Sequence, residues 1–219
     1  MRIEIWSDFA SPECYVGQVR LQHVIQRLGM QRDVDYRQDA YLIDPQAPVR
    51  SVETNAEKLA YDKGISLKQA HERYEHWKRL GATEGLNIRY GFAYNTNTMD
   101  AHRLVLWVQD EYDDPTLTQR LIDLLFKANL TNNFILADRE VLEEIGQAAG
   151  LNGKEIIRML SSNAYKKAVI AQTAHFNDLG ESSLPFFIIG KKSFAGIQPR
   201  QVFADALNKD ADEFVNARL

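Results

Sequence analysis

Ser11-Pro12-Glu13-Cys14 places a hydroxyl and a thiol three residues apart at what reads as the start of a helix. Ser suits the capping position, Pro the first helical position and Glu the first turn. A sulfur at such a place faces unpaired N–H groups and the positive end of the helix dipole, which favours thiolate over thiol. A second sulfur one turn away would allow a disulfide, but Cys14 is the only cysteine among 219 residues. That count excludes an internal disulfide, a thiolate zinc site and a self-contained dithiol cycle. The plain alternatives are that Ser11 is only a cap and that Cys14 is a small buried hydrophobe.

The elements that must hold this motif follow from periodicity. Residues 2–8 alternate apolar and polar, rich in β-branched types, and read as a strand. Behind the motif, Cys14, Leu21, Val24, Ile25 and Leu28 recur at helical spacing until Gly29, and 33–42 reads as a second strand. The opening is therefore β-α-β, the start of a parallel sheet. Between Pro45 and about Ser162 no strand is expected. Helices are expected over 55–62, 66–80, 98–111, 115–128, 138–149 and 152–161, and a further one over 165–179. The clearest spacing is Leu117, Leu121, Leu124, Leu125 and Ala128. Pro185 to Gly190 reads as a buried strand, 193–195 as its partner across Lys191-Lys192, and 199–208 as a closing helix.

Composition narrows the function. A net charge of −4, mixed along the chain, lacks the basic footprint of a nucleic-acid binder. The longest uncharged apolar run, 184–190, is too short to span a bilayer, so no membrane partner is expected. Met1 runs straight into strand alternation without an apolar leader, which points to the cytoplasm. The segment 68–79, with His71, His76 and Trp77, reads as a solvated helix face rather than a metal site, and no metal is expected.

The stretch from Trp6 to Gly17 resembles the opening of the FrnE-type branch of the DsbA family, which usually has Trp-Ser-Asp and then Cys-Pro-Trp-Cys-Tyr-x-Gly. Thr83-Glu84-Gly85-Leu86 and Asn95-Thr96-Asn97-Thr98-Met99-Asp100-Ala101-His102-Arg103-Leu104 resemble the family's helical block. Ser183-Leu184-Pro185-Phe186-Phe187 resembles its Gly-Val-Pro-x-Phe element, and Gly196-Ile197-Gln198-Pro199 its Gly-Ala-Gln-Pro. The resemblance implies an α/β, thioredoxin-like fold with a large all-helical insertion: 1–42 and 165–219 form the thioredoxin-like domain and 43–164 the insertion. It also implies a cis Leu184–Pro185 bond opposite the motif, exposing backbone groups to a bound peptide or thiol. On the residues alone, Pro185 is a strand-start proline.

The departure from that family is Ser11, which stands where the attacking cysteine is usual. A hydroxyl does not ionise at neutral pH without a base, and no His is near in sequence. Redox chemistry through Cys14 is then monothiol: a mixed disulfide that an external thiol resolves. Asp8-Phe9-Ala10-Ser11-Pro12 also resembles the Asp-x-x-Ser-Pro of kappa-class glutathione transferases and 2-hydroxychromene-2-carboxylate isomerases. That second resemblance implies that Ser11 donates a hydrogen bond to the thiolate of bound glutathione.

The leading expectation is a DsbA/FrnE-like thiol-disulfide oxidoreductase or isomerase with Ser11 and Cys14 as catalytic residues. Pro12, Glu13, Leu184, Pro185, Phe9 and His102 are expected to bind substrate. His102 and Arg103 either face the cleft or are a satisfied helix-start histidine and a surface arginine. Trp6, Phe9, Tyr15 and Tyr94 either line an apolar cleft or belong to the core. No cofactor is expected beyond glutathione as co-substrate, and the partners are protein or small-molecule thiols and disulfides, with a homodimer plausible. The alternatives are a glutathione-dependent transferase or isomerase built on Ser11, and a non-catalytic thiol- or peptide-binding relative.

Overall fold

The structure, a computed structural model, describes residues 1–216, with side chains described through 208; residues 217–219 of the expected 165–219 segment lie outside it. Strand β1 (Arg2–Ser7) leads through helix α1 (Pro12–Arg27) to β2 (Asp35–Ala40). Seven helices follow before the next strand: α2 (Asn55–Lys63), α3 (Leu67–Ala82), α4 (Met99–Tyr112), α5 (Pro115–Leu130), α6 (Arg139–Ala149), α7 (Gly153–Ser161) and α8 (Lys166–Asp178). Strands β3 (Phe186–Ile189) and β4 (Lys192–Ala195) and helix α9 (Arg200–Asn216) close the chain. The sheet order is β2-β1-β3-β4, with β1 parallel to β2 and the other pairs antiparallel.

Strand alternation decides how the sheet is covered. Ile3 and Ile5 pair with Ile189 and Phe187 and face Leu21, Val24 and Ile25 of α1 and Phe203 and Leu207 of α9. Trp6 pairs with Phe186 on the opposite face, where Phe176 of α8 covers both. Helix α8 is also tied to the edge strand: Gln172 Oε1 accepts the Ala40 amide at 2.8 Å, and Thr173 Oγ1 accepts that of Leu42 at 3.2 Å. Each fully buried aromatic or aliphatic side chain here contributes about 1.5–3 kcal/mol. The helices between β2 and β3 build a separate apolar cluster from Leu104, Val105, Leu121, Leu125, Phe126 and Leu160.

Helix α1 serves both clusters. Its second half meets the sheet, but Cys14, Tyr15 and Val16 of its first half pack into the helical cluster. The single face expected to carry Cys14 together with Leu21 is therefore corrected: the first turns are buried nearly all round. Glu84, buried at the end of α3, fixes α1 from outside, accepting Arg20 at 2.7 Å, contacting His23 at 3.0 Å and accepting Arg200 of α9 at 2.7 Å.

The Leu184–Pro185 bond is cis, and Pro185 meets α1 at Gly17. A Cβ on Gly17 would lie 2.6 Å from Pro185 Cγ and 3.2 Å from Phe187 Cζ, both parts of rigid rings. Gly17→Ala is expected to lose stability, since overpacking costs about 1–3 kcal/mol against at most about 1 kcal/mol of helix propensity gained. A lower urea midpoint is the readout; an unchanged one would mean that the two rings can step aside.

Helix positions follow the sequence expectations, with two informative differences. Helix α9 runs on to Asn216, past the expected stop at 208, because neither Gly nor Pro interrupts 200–216. Tyr165, expected to open α8, instead precedes it with φ 62°, and the helix starts at Lys166.

Candidate functional site

The loop between β1 and α1 is shaped by Asp8 and Ser11. Asp8, buried, accepts the Ala10 amide at 3.1 Å on Oδ1 and the Ile43 amide at 2.8 Å on Oδ2, joining this loop to the one after β2. His102 Nε2 lies 3.6 Å from Asp8 Oδ1, within reach of its charge but too far for a hydrogen bond. Burial opposes ionisation of Asp8, yet His102 and the Ile43 and Ala10 amides outweigh it and hold the carboxyl below its ordinary value. Ser11, extended at φ −99°, caps α1: its Oγ accepts the Cys14 amide at 3.1 Å. The same hydroxyl donates to Glu13 Oε2 at 3.2 Å.

An open pocket of about 130 Å³ lies over this turn. Ser11, Pro12 and Glu13 form one wall, Ile43 and Asp44 a second, and Tyr90 with the 95–98 loop a third. Asp8, Glu13 and Asp44 all line it, and among the described residues no Lys, Arg or His does. Burial pushes the Glu13 carboxyl above its ordinary value, against the opposing hydrogen bond from Ser11. Tyr90 is shared with a neighbouring groove, whose walls include His71, Lys78 and Arg89. Cationic groups therefore begin one side chain away from the acidic pocket.

Of the residues expected to act, Ser11, Pro12 and Glu13 come together on the pocket wall. Cys14 sits behind them with 0% exposure. Burial pushes its thiol up to about 12, against hydrogen bonding by Ser11 and the Asp8 backbone that favours the thiolate. Desolvation here overrides the helix dipole.

Phe9 corrects the expectation of a substrate-facing ring. It is fully buried, its centroid 4.8 Å from those of both His102 and Phe126, and its carbonyl accepts Asn129 Nδ2 at 3.0 Å. His102, 1% exposed, stands behind Asp8 instead of in the cleft. Trp6 packs on Phe176 and Phe186, and Tyr15 stacks on Phe126 at 5.2 Å, so both are core. Tyr94 lines a different surface groove beside Val52 and Phe134. Arg103, on the plain reading a surface residue, is buried at 3% exposure.

Leu184 and Pro185, also expected to bind substrate, lie outside the pocket wall. The missed residues are Asp8, Asp44, Tyr90 and the 95–98 loop. Asp8 carried a signal, since it begins the Asp-x-x-Ser-Pro pattern.

A family model described as a DSBA-like thioredoxin domain matches residues 2–208. A probable DsbA oxidoreductase from Streptomyces coelicolor is 28% identical with a TM-score of 0.83, over 97% of this chain and 91% of that one. A 2-hydroxychromene-2-carboxylate isomerase is 16% identical with a TM-score of 0.70, over 99% of each chain. The cytosolic disulfide reductase DsbM from Pseudomonas aeruginosa, solved with glutathione, is 16% identical with a TM-score of 0.59, over 100% of each chain. The last two likenesses are of fold. No curated protein matches.

Proposed function

The chain belongs to the DSBA-like thioredoxin domain family, and from that premise we propose that it is a glutathione-dependent transferase or isomerase in which Ser11 stabilises a bound thiolate. The observation that carries this reading is the contrast between the two motif residues. Ser11 lines a pocket at the start of α1, while Cys14 is fully buried with its thiol raised to about 12. A hydroxyl donor and the positive end of a helix favour a thiolate that the substrate brings with it. The chain then needs no reactive sulfur of its own.

Charge supports the same assignment. Glutathione carries an ammonium group and two carboxylates besides its thiol. Asp44 on the pocket wall suits the ammonium, and Lys78 and Arg89, reached past Tyr90, suit a carboxylate. The likeness in fold to DsbM, solved with glutathione, supports glutathione as the class of ligand. A second reading, monothiol exchange through Cys14, is favoured by the likeness to the Streptomyces coelicolor oxidoreductase. It requires Cys14 to be reachable.

Calorimetric titration with reduced glutathione tests the proposal. Saturable binding is expected, weakened in Ser11→Ala by roughly ten- to a hundredfold, the value of one hydrogen bond to a charged group. Ser11→Thr, which keeps both cap and hydroxyl, is expected to bind within a few fold of the parent. No saturable binding, or equal affinity in Ser11→Ala, removes the reading.

A further inference from the structure

Resting on the reading that a small thiol binds at Ser11, we propose that Glu13 is the acceptor for the thiol proton, and that its protonation frees the Ser11 hydroxyl hydrogen for the thiolate. Without a ligand, that hydrogen is already committed, since Ser11 Oγ donates to Glu13 Oε2 at 3.2 Å. One lone pair of the oxygen takes the Cys14 amide at 3.1 Å. A hydroxyl has one hydrogen and two lone pairs. The hydrogen can turn to a sulfur only when Glu13 no longer needs it.

The chemistry at the pocket makes the two events one. An ionised Glu13 beside Ser11 repels a thiolate, so the pair is unstable with both groups charged. On transfer, the S–H bond breaks, its electron pair stays on sulfur, and the proton passes to a Glu13 carboxylate oxygen. Glu13 then donates to the free lone pair of Ser11 Oγ, and Ser11 donates to the sulfur. Every hydrogen-bonding position of the hydroxyl is filled, the net charge of the site is unchanged, and nothing is oxidised or reduced.

Glu13 is better suited to this than the other acids of the pocket. Asp8 is occupied by two amides, with His102 beside it, and its carboxyl is held below its ordinary value. Asp44 is exposed, and its Oδ1 accepts the Gln46 amide at 3.0 Å. Glu13 is half-buried, already hydrogen-bonded to Ser11 Oγ, and burial raises its carboxyl above its ordinary value. The other groups acting on it are His76 of α3, which favours its ionised form, with the neutral Tyr90 and Cys14 nearby.

The test counts protons against thiolate. Purified protein is mixed with reduced glutathione at neutral pH in weak buffer. Thiolate is followed by its ultraviolet absorbance and released protons by an indicator dye, for the parent and for Glu13→Gln. The parent is expected to form thiolate with almost no proton released. Glu13→Gln keeps the volume and the contact with Ser11, and is expected to release about one proton per thiolate formed. Release of about one proton by the parent, or binding without any thiolate, overturns the role of Glu13 while leaving the glutathione site standing. Absence of glutathione binding to the parent removes the site itself, and this inference with it.

Discussion

Cys14 in the folded protein is expected to resist iodoacetamide at neutral pH, under conditions that alkylate the urea-unfolded chain to completion. The thiolate is the reactive form, and burial lifts this thiol from an ordinary 9.0 to about 12. Three pKa units leave about a thousandfold less thiolate at any pH well below both values. The start of α1, the Ser11 hydroxyl and the Asp8 backbone pull the other way, but the charges of Asp8 and Glu13 add to the rise and desolvation is the largest influence. Access compounds the effect, because the sulfur has 0% exposure and packs within the helical cluster. Alkylation must wait for an opening of the first turn of α1, so protection by a factor of about a thousand or more is expected. Mass spectrometry at timed quenches reads it directly. Comparable rates in the folded and unfolded chain would show that Cys14 is reachable and ionisable, and would restore monothiol exchange as the leading reading.

The contrast between Ser11 and Cys14 also marks how far the sequence could be read. A helix start is local, so the cap, the proline and the acid of the first turn were legible without knowing the fold. Strand β1 was equally plain, since period-2 alternation places Ile3 and Ile5 on one face and Trp6 on the other. Long-range burial was not legible. Nothing in 12–18 announces that α1 is enclosed nearly all round where it meets the helices between β2 and β3, which is what silences the thiol.

The pocket's other walls were hidden for a related reason. Ile43, Asp44 and the 95–98 loop belong to irregular segments and Tyr90 to a single 3-10 turn, Tyr90–Phe92, all too short for periodicity, and hydrogen bonds from distant parts of the chain help to set their positions. Asp8 holds the Ile43 amide, and Asn97 reaches back to the Ala47 carbonyl at 3.3 Å. The family motif around 95–104 contains Thr96 and Thr98, which line the pocket, and nothing local in it separates them from His102, which the fold buries behind Asp8.

Arg103, for which the sequence left open a place in the cleft or on the surface, should give the largest stability loss of any single truncation considered. Helix α7 ends at Ser161, where the amide and the hydroxyl of Ser162 both donate to the Met159 carbonyl. The guanidinium of Arg103, reaching across from α4, adds further donors to this helix end. Its Nη2 donates to the carbonyls of Met159 at 3.1 Å and Ser162 at 2.8 Å, and its Nε to that of Ala164 at 2.7 Å. Nη1 donates to Asp100 Oδ1 at 2.6 Å. Arg103→Ala removes a buried guanidinium and its bonds to three carbonyls, of which that of Met159 keeps the Ser162 amide and hydroxyl, and leaves Asp100 with Arg139, so a loss of about 3 kcal/mol is expected. With a urea slope of about 2–3 kcal/mol/M for a chain of this length, the midpoint should fall by roughly 1–2 M. Arg139→Ala is the matched control. It removes the other cation from Asp100, but at a side chain 51% exposed, and should cost less than about 1 kcal/mol. If the two variants unfold at the same midpoint, the cap that α4 provides to α7 contributes nothing. If Arg103→Ala alone falls, then α4, which sets Thr98 in the pocket wall and His102 behind Asp8, is anchored by its own arginine, and the site's third wall rests on that contact.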